Sequence, residues 1–454
     1  MANLNEGDAR QRAAKVLAGG VSNGWNILPG GPRYFRDAHG PYLIDLNGNQ
    51  HLDFQLGWGA LLLGHNPTAL RNALSSVLEE GGFLLQVETE RHIRLAERLC
   101  ERIPCAERVR LANSGTEATM FAVRLARART GRHRIVKFEG HFHGLHENLL
   151  FGTDGAPRLG LRRADGSLES IAASAGIPPA FSEACLTLPF NDTDAFARCL
   201  QAHAHEIAAV ILEPICFNLG VIPASATFLS AVRALTTQHG IALIFDEVLT
   251  GFRVTPGTAQ ARLGVTPDLT CLGKALGCGM PIAAVVGRQA WMDGLAPIGN
   301  VEMSGTSTGR ILNVVGALAA LEATAEPGFH AHLEHLQRRL IHGLRELLAR
   351  HGVPAVVNGC GGRIGLYLGL ERLPSSLPEI AAQWDEAFHL RCQADLQARG
   401  LYGFLSALPF HPEAITLCAA HTDADVDTAL ERFDDVLQRN PYTRARHTQH
   451  AFGA

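Results

Sequence analysis

The run Ile241-Ala-Leu-Ile-Phe-Asp-Glu-Val248, bounded by Gly240, restricts the fold of this chain more than any other segment. A short stretch of branched and aromatic residues without polar alternation suits a strand buried on both faces, as in a parallel sheet covered by helices. Residues 64 to 325 alternate helical and strand patterns, which predicts a large α/β layer around that strand. Asp246 then falls at the carboxyl end of its strand, where ligands of open α/β sheets collect. A second apolar segment ends in Leu272-Gly-Lys274, and its glycines let the backbone approach a ligand. Taken alone, Lys274 reads as a solvated loop lysine. Beside a buried aspartate it reads as an amine for imine chemistry, because desolvation or a nearby cation lowers a lysine pKa and leaves the amine nucleophilic.

The stretch Asn113-Ser-Gly-Thr-Glu-Ala-Thr-Met-Phe-Ala-Val-Arg-Leu-Ala-Arg127 predicts a helix. Ser114 and Glu117 have capping-box spacing, and Ala118, Phe121, Ala122, Leu125 and Ala126 share one face. The open N–H groups and positive dipole end of such a helix attract an anion, and the hydroxyls of Ser114 and Thr116 add donors suited to phosphate. A capping box by itself is ordinary helix-start chemistry. Together with Lys274 and Asp246 it supplies three handles for a phosphorylated, carbonyl-bearing cofactor.

Outside the central layer, residues 1–63 read as an N-terminal arm and small-domain segment, with a meander from Tyr42 to Phe54 turning at Asn47-Gly48. From 326 to 440 a smaller α+β domain is expected, opened by a helix carrying Leu333, Leu336, Leu340, Leu344 and Leu347 on one face. Residues 441–454 read as a frayed tail. The stretch 152–182 is rich in Gly, Ala, Ser and Pro and lacks periodicity, so it reads as a long loop. With 46% hydrophobic and 19% charged residues and a net charge of -4, the chain has the balance of a globular enzyme and no electrostatic reason to bind nucleic acid. No apolar run reaches membrane-spanning length, and the polar, acid-bearing start does not resemble a leader. Ten singly scattered cysteines suit reduced thiols, so a cytoplasmic location is expected. His141, His143, His146 and Glu147 are dense enough for a metal site, but no paired cysteine motif supports one, and none is assigned.

These runs resemble the class III aminotransferases of fold type I, and most closely the glutamate-1-semialdehyde 2,1-aminomutase branch. The likeness extends through Gly57-Trp-Gly59, Ser114-Gly-Thr-Glu-Ala-Thr-Met120, Glu213-Pro214, Phe245-Asp-Glu-Val-Leu-Thr-Gly-Phe-Arg-Val254, Leu272-Gly-Lys274 and Gly305-Thr306. It implies an α/β fold of the type I pyridoxal-phosphate transferases: a large domain with a mainly parallel sheet plus a smaller α+β C-terminal domain. Pyridoxal 5'-phosphate is the implied cofactor, held by Lys274 as an internal aldimine, with Asp246 keeping its ring nitrogen protonated. Ser114, Gly115 and Thr116 would hold the phosphate, Phe142 would stack on the ring, Asn218 would contact the ring hydroxyl and Val248 would pack behind it. Thr306 would reach the phosphate from a partner subunit, making a homodimer with shared sites. The resemblance also makes the 152–182 stretch a lid over the site.

Departures from that pattern concern the substrate. Phe142 stands where relatives carry tyrosine, and Asn26 stands where the aminomutases place an arginine for the substrate carboxylate, which a neutral amide does not replace. Gly309-Arg310-Ile311 replaces a Gly-Asn-Pro, so Arg310 reads either as a relocated anion receptor or as a structural charge. Glu413 aligns with the aminomutase gating glutamate and reads either as a contact for a second substrate amine or as a surface acid. Trp58, in Gly57-Trp-Gly59, is a further candidate at the substrate. The function expected is amino-group transfer between a small-molecule amine or amino acid donor and a carbonyl acceptor. Intramolecular transfer by an aminomutase, or a related isomerase, is the alternative.

Overall fold

Among the described residues, seven strands build the central sheet: β1 (Arg108–Ala112), β2 (Arg134–Phe138), β3 (Cys185–Leu188), β4 (Ile207–Leu212), β5 (Ala242–Asp246), β6 (Leu269–Leu272) and β7 (Ala283–Gly287). The computed structural model describes residues 5–26, 31–80, 87–153, 161–406 and 412–443. The spatial order is β1-β7-β6-β5-β4-β2-β3. Neighbours from β6 through β3 pair in parallel, and β7 is antiparallel to both β6 and β1. Six strands therefore point one way and end at one edge of the sheet. Every residue of β4 and β5 is buried, the burial that their unbroken apolar runs predict.

Helix α1 (Gly115–Thr130) packs the predicted face, Ala118, Phe121, Ala122, Leu125 and Ala126, onto one side of the sheet against Ile211, Ile244 and Val285. Each large apolar side chain so buried contributes about 1.5–3 kcal/mol. Helix α2 (Phe329–Arg350) buries all five predicted leucines. The meander forms from Phe35–His39, Tyr42–Asp45 and Gln50–Asp53, with Gly48 at φ 91° in the tight turn. Its last strand pairs in parallel with Leu401–Tyr402, so segments from opposite ends of the chain share one sheet. A three-stranded sheet of Ala355–Cys360, Arg363–Leu368 and Ile415–Thr416 lies beside it, tied through the Thr416 N–H to the Phe54 carbonyl.

The described residues of the 152–182 stretch carry no helix or strand before Pro179, as the loop reading expects, but the loop is tied down. Residues 154–160 lie outside the described residues, but from 161 onward the chain pairs with itself and with the sheet edge, through Arg162 with Leu168 and Leu168 with Thr187. Helix Pro179–Ala184 then leads into β3. Single buried anchors such as Leu168 and Ser170 carry no period, which is why pattern reading found only a loop. The expected frayed tail lies outside the described residues from 444 on. No described helix is long and apolar enough to cross a membrane.

Candidate active site

Five strands deliver the candidate residues at the carboxyl edge of the sheet. β1 leads into Ser114 and Gly115, β2 into Phe142 and His143, β4 into Glu213 and Asn218, β5 ends on Asp246, and β6 runs into Lys274. Gly115, Thr116, Phe142, Asn218, Asp246, Val248 and Lys274 line one cavity of about 150 Å³, with His143, Gly144, Glu213 and Leu249.

Lys274 opens a short 3-10 turn with φ 41°, in the left-handed region that non-glycine residues rarely occupy. Its carbonyl accepts from the N–H groups of Gly277 and Cys278, which holds that conformation and turns the side chain into the cavity. The amine has no hydrogen-bond partner among the described residues. Burial lowers its pKa to about 8, against the opposing pull of Glu413, while Arg363 pushes in the same direction as burial.

Asp246 is 4% exposed and its pKa is pushed up to about 7 by burial, partly offset by the Val248 N–H and by Lys274. Its Oδ2 lies 2.7 Å from Nδ1 of His143. Burial holds that imidazole neutral, so its single proton on Nδ1 donates to the carboxylate and aims it. Glu213 organises the neighbouring wall: Oε1 accepts from the Phe142 N–H at 3.0 Å and from Asn218 Nδ2 at 2.7 Å, and Oε2 accepts from the Phe217 N–H. Donation from Nδ2 leaves the Asn218 carbonyl oxygen available to the cavity. Lys137, fully buried, donates to the carbonyls of His141, Leu149 and Phe151 and so shapes the loop bearing Phe142 and His143.

The helix start is built as an anion seat, with one difference from expectation. Ser114 Oγ accepts from the Glu117 N–H, but the Glu117 carboxylate reaches past Ser114 to the backbone and side-chain amides of Asn113. Ser114 is thereby occupied as a cap and does not line the cavity, whereas Gly115 and Thr116 do. Their backbone N–H groups have no partner among the described residues. A Cβ on Gly115 would lie 3.0 Å from both methyls of Val248, and one on Gly144 would lie 2.7 Å from Thr116 Oγ1. Only glycines let these walls approach so closely.

Trp25 packs edge-on against Phe142 at 5.1 Å and against Trp58 at 5.6 Å between ring centroids. Trp25 and Trp58 line a second cleft, together with Tyr402, Leu405 and Glu413. Glu413 is not a surface acid: its Oε1 accepts from Arg363 at 3.1 Å, and its side chain is 10% exposed. Arg363 is a functional candidate that pattern reading missed, although an arginine opening the otherwise apolar strand Arg363–Leu368 was a visible anomaly.

Other expected residues lie elsewhere. Arg310 precedes the helix Ile311–Ala325 and lines neither cleft, with its Nε buried and unpartnered. Thr306 is exposed and off the cavity of its own chain. Asn26 ends the turn Gly24–Asn26 beside Trp25, and its side chain lies outside the described residues. The histidines 141, 143 and 146 turn to three different partners, the Glu213 N–H, Asp246 and Thr119. None of the ten cysteines forms a disulfide, and nine are buried.

The cavity suits a flat pyridine bearing a phosphate, a hydroxyl and a carbonyl. Unpartnered N–H groups at a helix start fit the phosphate, a buried carboxylate fits a ring cation, an amide oxygen fits the hydroxyl, and an unpartnered amine fits the carbonyl. The comparisons agree. The family model for Aminotransferase class-III matches residues 31–437. An omega-transaminase from Sphaerobacter thermophilus is 32% identical, with a TM-score of 0.87 over 95% of this chain and 97% of that one. A transaminase with PLP bound is 26% identical, with a TM-score of 0.84 over 95% and 97%. A glutamate-1-semialdehyde-aminomutase from Pseudomonas aeruginosa PAO1 is 25% identical, with a TM-score of 0.83 over 95% and 94%.

Proposed function

The chain belongs to the class III aminotransferases and uses pyridoxal 5'-phosphate for amino transfer, and from that premise we propose which residues carry the reaction. When bound, the cofactor supplies the carbonyl that takes up an amino group and the ring that takes up electrons. Lys274 supplies the amine that anchors it and, once displaced by substrate, moves a proton at the substrate carbon. Asp246, aimed by His143, holds the proton on the ring nitrogen. Gly115 and Thr116 bind the phosphate, Asn218 the ring hydroxyl, and Phe142 and Val248 the two ring faces. The observation that carries this reading is the convergence of Lys274, Asp246 and the open start of α1 on one cavity.

We place the reaction between a small-molecule amino donor and a separate carbonyl acceptor. Glu413 supports a second reading, intramolecular transfer as in an aminomutase, but Asn26 lacks the cation that an aminomutase would present to its substrate. Single-turnover spectroscopy with amines, amino acids and glutamate 1-semialdehyde separates the two. Conversion of the cofactor by a donor, reversed by a separate keto acid, is expected; cycling with the semialdehyde alone would establish the second reading.

We also propose a homodimer in which Thr306 of a second copy completes each phosphate site, because Thr306 is exposed and does not line the cavity of its own chain. The buried thiols, none of them in a disulfide, support a cytoplasmic location. The division at residues 63, 325 and 440 stands as a proposal, with the shared sheet of Gln50–Asp53 and Leu401–Tyr402 grouping the first and third segments.

A further inference from the structure

Beyond the carboxyl ends of β2 and β3 lies a cleft of about 670 Å³ that shares no lining residue with the cofactor cavity or with the cleft of Trp25 and Trp58. Its walls include Leu168, Pro189 and Phe190, and Glu139, one residue past β2, reaches it from the buried side. The Glu139 N–H donates to the Leu188 carbonyl, and Gly140 turns the chain away at φ 78°, which fixes the acid at this spot. Glu139 is 3% exposed, and its Oε2 is buried without a hydrogen-bond partner among the described residues. A buried acid left unmet in a native protein calls for a reason.

The charges around it are directed elsewhere. Lys137 donates to the carbonyls of His141, Leu149 and Phe151. Arg162, on the cleft wall, donates through Nη1 to Oδ2 of Asp192 at 3.0 Å. Both still act on Glu139 through space, opposing the burial that pushes its pKa up to about 7. Among the other lining acids, Asp192 also accepts from the Ala195 N–H, and Glu379 accepts from the N–H and Oγ of Ser375. Asp194 is exposed in the first turn of helix Thr193–His203. Glu139, Asp192, Asp194 and Glu379 thus face the single lining cation Arg162, and the most buried of these acids is the one it does not pair with.

We propose that this cleft is a second ligand site, which binds an alkylguanidinium with its charged head on Glu139 and its chain along Leu168, Pro189 and Phe190. The planar guanidinium matches a carboxylate and is weakly hydrated, so it enters a desolvated position more readily than an ammonium. The space is that of a small-molecule site. A bare divalent cation fits it less well, because such an ion takes six or more oxygens and the Asp192 and Glu379 carboxylates already have partners. A neutral ligand would leave the excess negative charge of the lining uncompensated. The site stands apart from the reaction centre, although Glu139 lies only three residues before Phe142.

Calorimetric titration of the holoenzyme with n-butylguanidinium and with N-butylurea, which has a like shape and no charge, tests this apart from turnover. Neither probe has an amine that condenses with the cofactor carbonyl. The wild type is expected to bind the guanidinium roughly 10- to 100-fold more tightly than the urea, the range of charge-assisted hydrogen bonds. Glu139→Gln keeps the side-chain shape, removes the charge and should abolish that preference. Equal affinities in the wild type, or a preference that survives in Glu139→Gln, overturn the proposal. Binding of magnesium chloride that Glu139→Gln removes, with no binding of the guanidinium, makes this a metal site and equally overturns it. If Glu139→Gln does not fold, Ser376→Trp decides: Ser376 lines the cleft and makes no capping bond, and an indole there should weaken the guanidinium at least roughly tenfold. Unchanged affinity in that variant overturns the proposal.

Discussion

Burial moves Lys274 and Asp246 in opposite directions, the amine down to about 8 and the carboxyl up to about 7, so each sits close to neutrality when the cofactor is absent. The amine attacks a carbonyl only when neutral. Loading of pyridoxal phosphate into the cofactor-free protein should therefore accelerate as pH rises through about 8 and then level off, followed by absorbance in stopped flow. A rate flat across this range would separate loading from the titration of Lys274. Removing the Glu413 charge should move the inflection down and removing that of Arg363 should move it up. Lys274→Ala should leave a folded protein without turnover, and retained turnover would take the lysine out of the mechanism. Asp246→Asn should slow proton removal from the substrate by roughly 10²–10³-fold, the scale of a lost preorganised charge, and near-normal single-turnover rates would sink its role.

At the scale of elements, the start of α1 shows what local pattern delivers and where it stops. The 3.6-residue period marked the buried face correctly, since that face follows from spacing alone. The capping box formed only in part, because the Asn113 N–H competes for Glu117 and lies in the turn from β1, a contact that spacing does not encode. Gly115 is required by Val248, 133 residues away and approached only through the sheet. Gly115→Ala should weaken cofactor affinity while changing stability by no more than about 1 kcal/mol, since alanine favours the helix but crowds the valine. Val248→Ala in the same protein should restore part of that affinity. Additive losses in the double variant would show that the pair does not act through contact.

For the whole molecule, a concentration of buried acid at one sheet edge sets a pH dependence. Glu213, Asp246 and Glu247 are raised from 4.5, 3.8 and 4.5 to about 7, in each case chiefly by burial. A carboxyl whose folded pKa is raised contributes stability that is present below its unfolded value and lost as pH rises to the folded one. Cofactor-free protein should thus lose stability on this account between about pH 4 and about pH 7. A ring cation beside Asp246 favours its charged form and offsets that share. The difference in Tm between loaded and cofactor-free protein should widen from about pH 5 to about pH 8 in scanning calorimetry, and a constant difference would contradict the charge pairing.

The strand at 241–248, the helix after Ser114, the leucine face of α2 and the turn at Gly48 were all legible in the sequence, because each rests on interactions between neighbours in the chain. Ordered motif agreement likewise carried the fold type and the cofactor. Tertiary structure alone decided that Glu413 is bound to Arg363, that His143 pairs with Asp246, that Ser114 caps and does not face the cavity, and that residues beyond 161 lie along the sheet edge. Each of these depends on groups dozens to hundreds of residues apart meeting in a low-dielectric interior, where one buried partner changes what a charge can do. Sequence spacing records periods along the chain; it does not record which buried donors are left unmet.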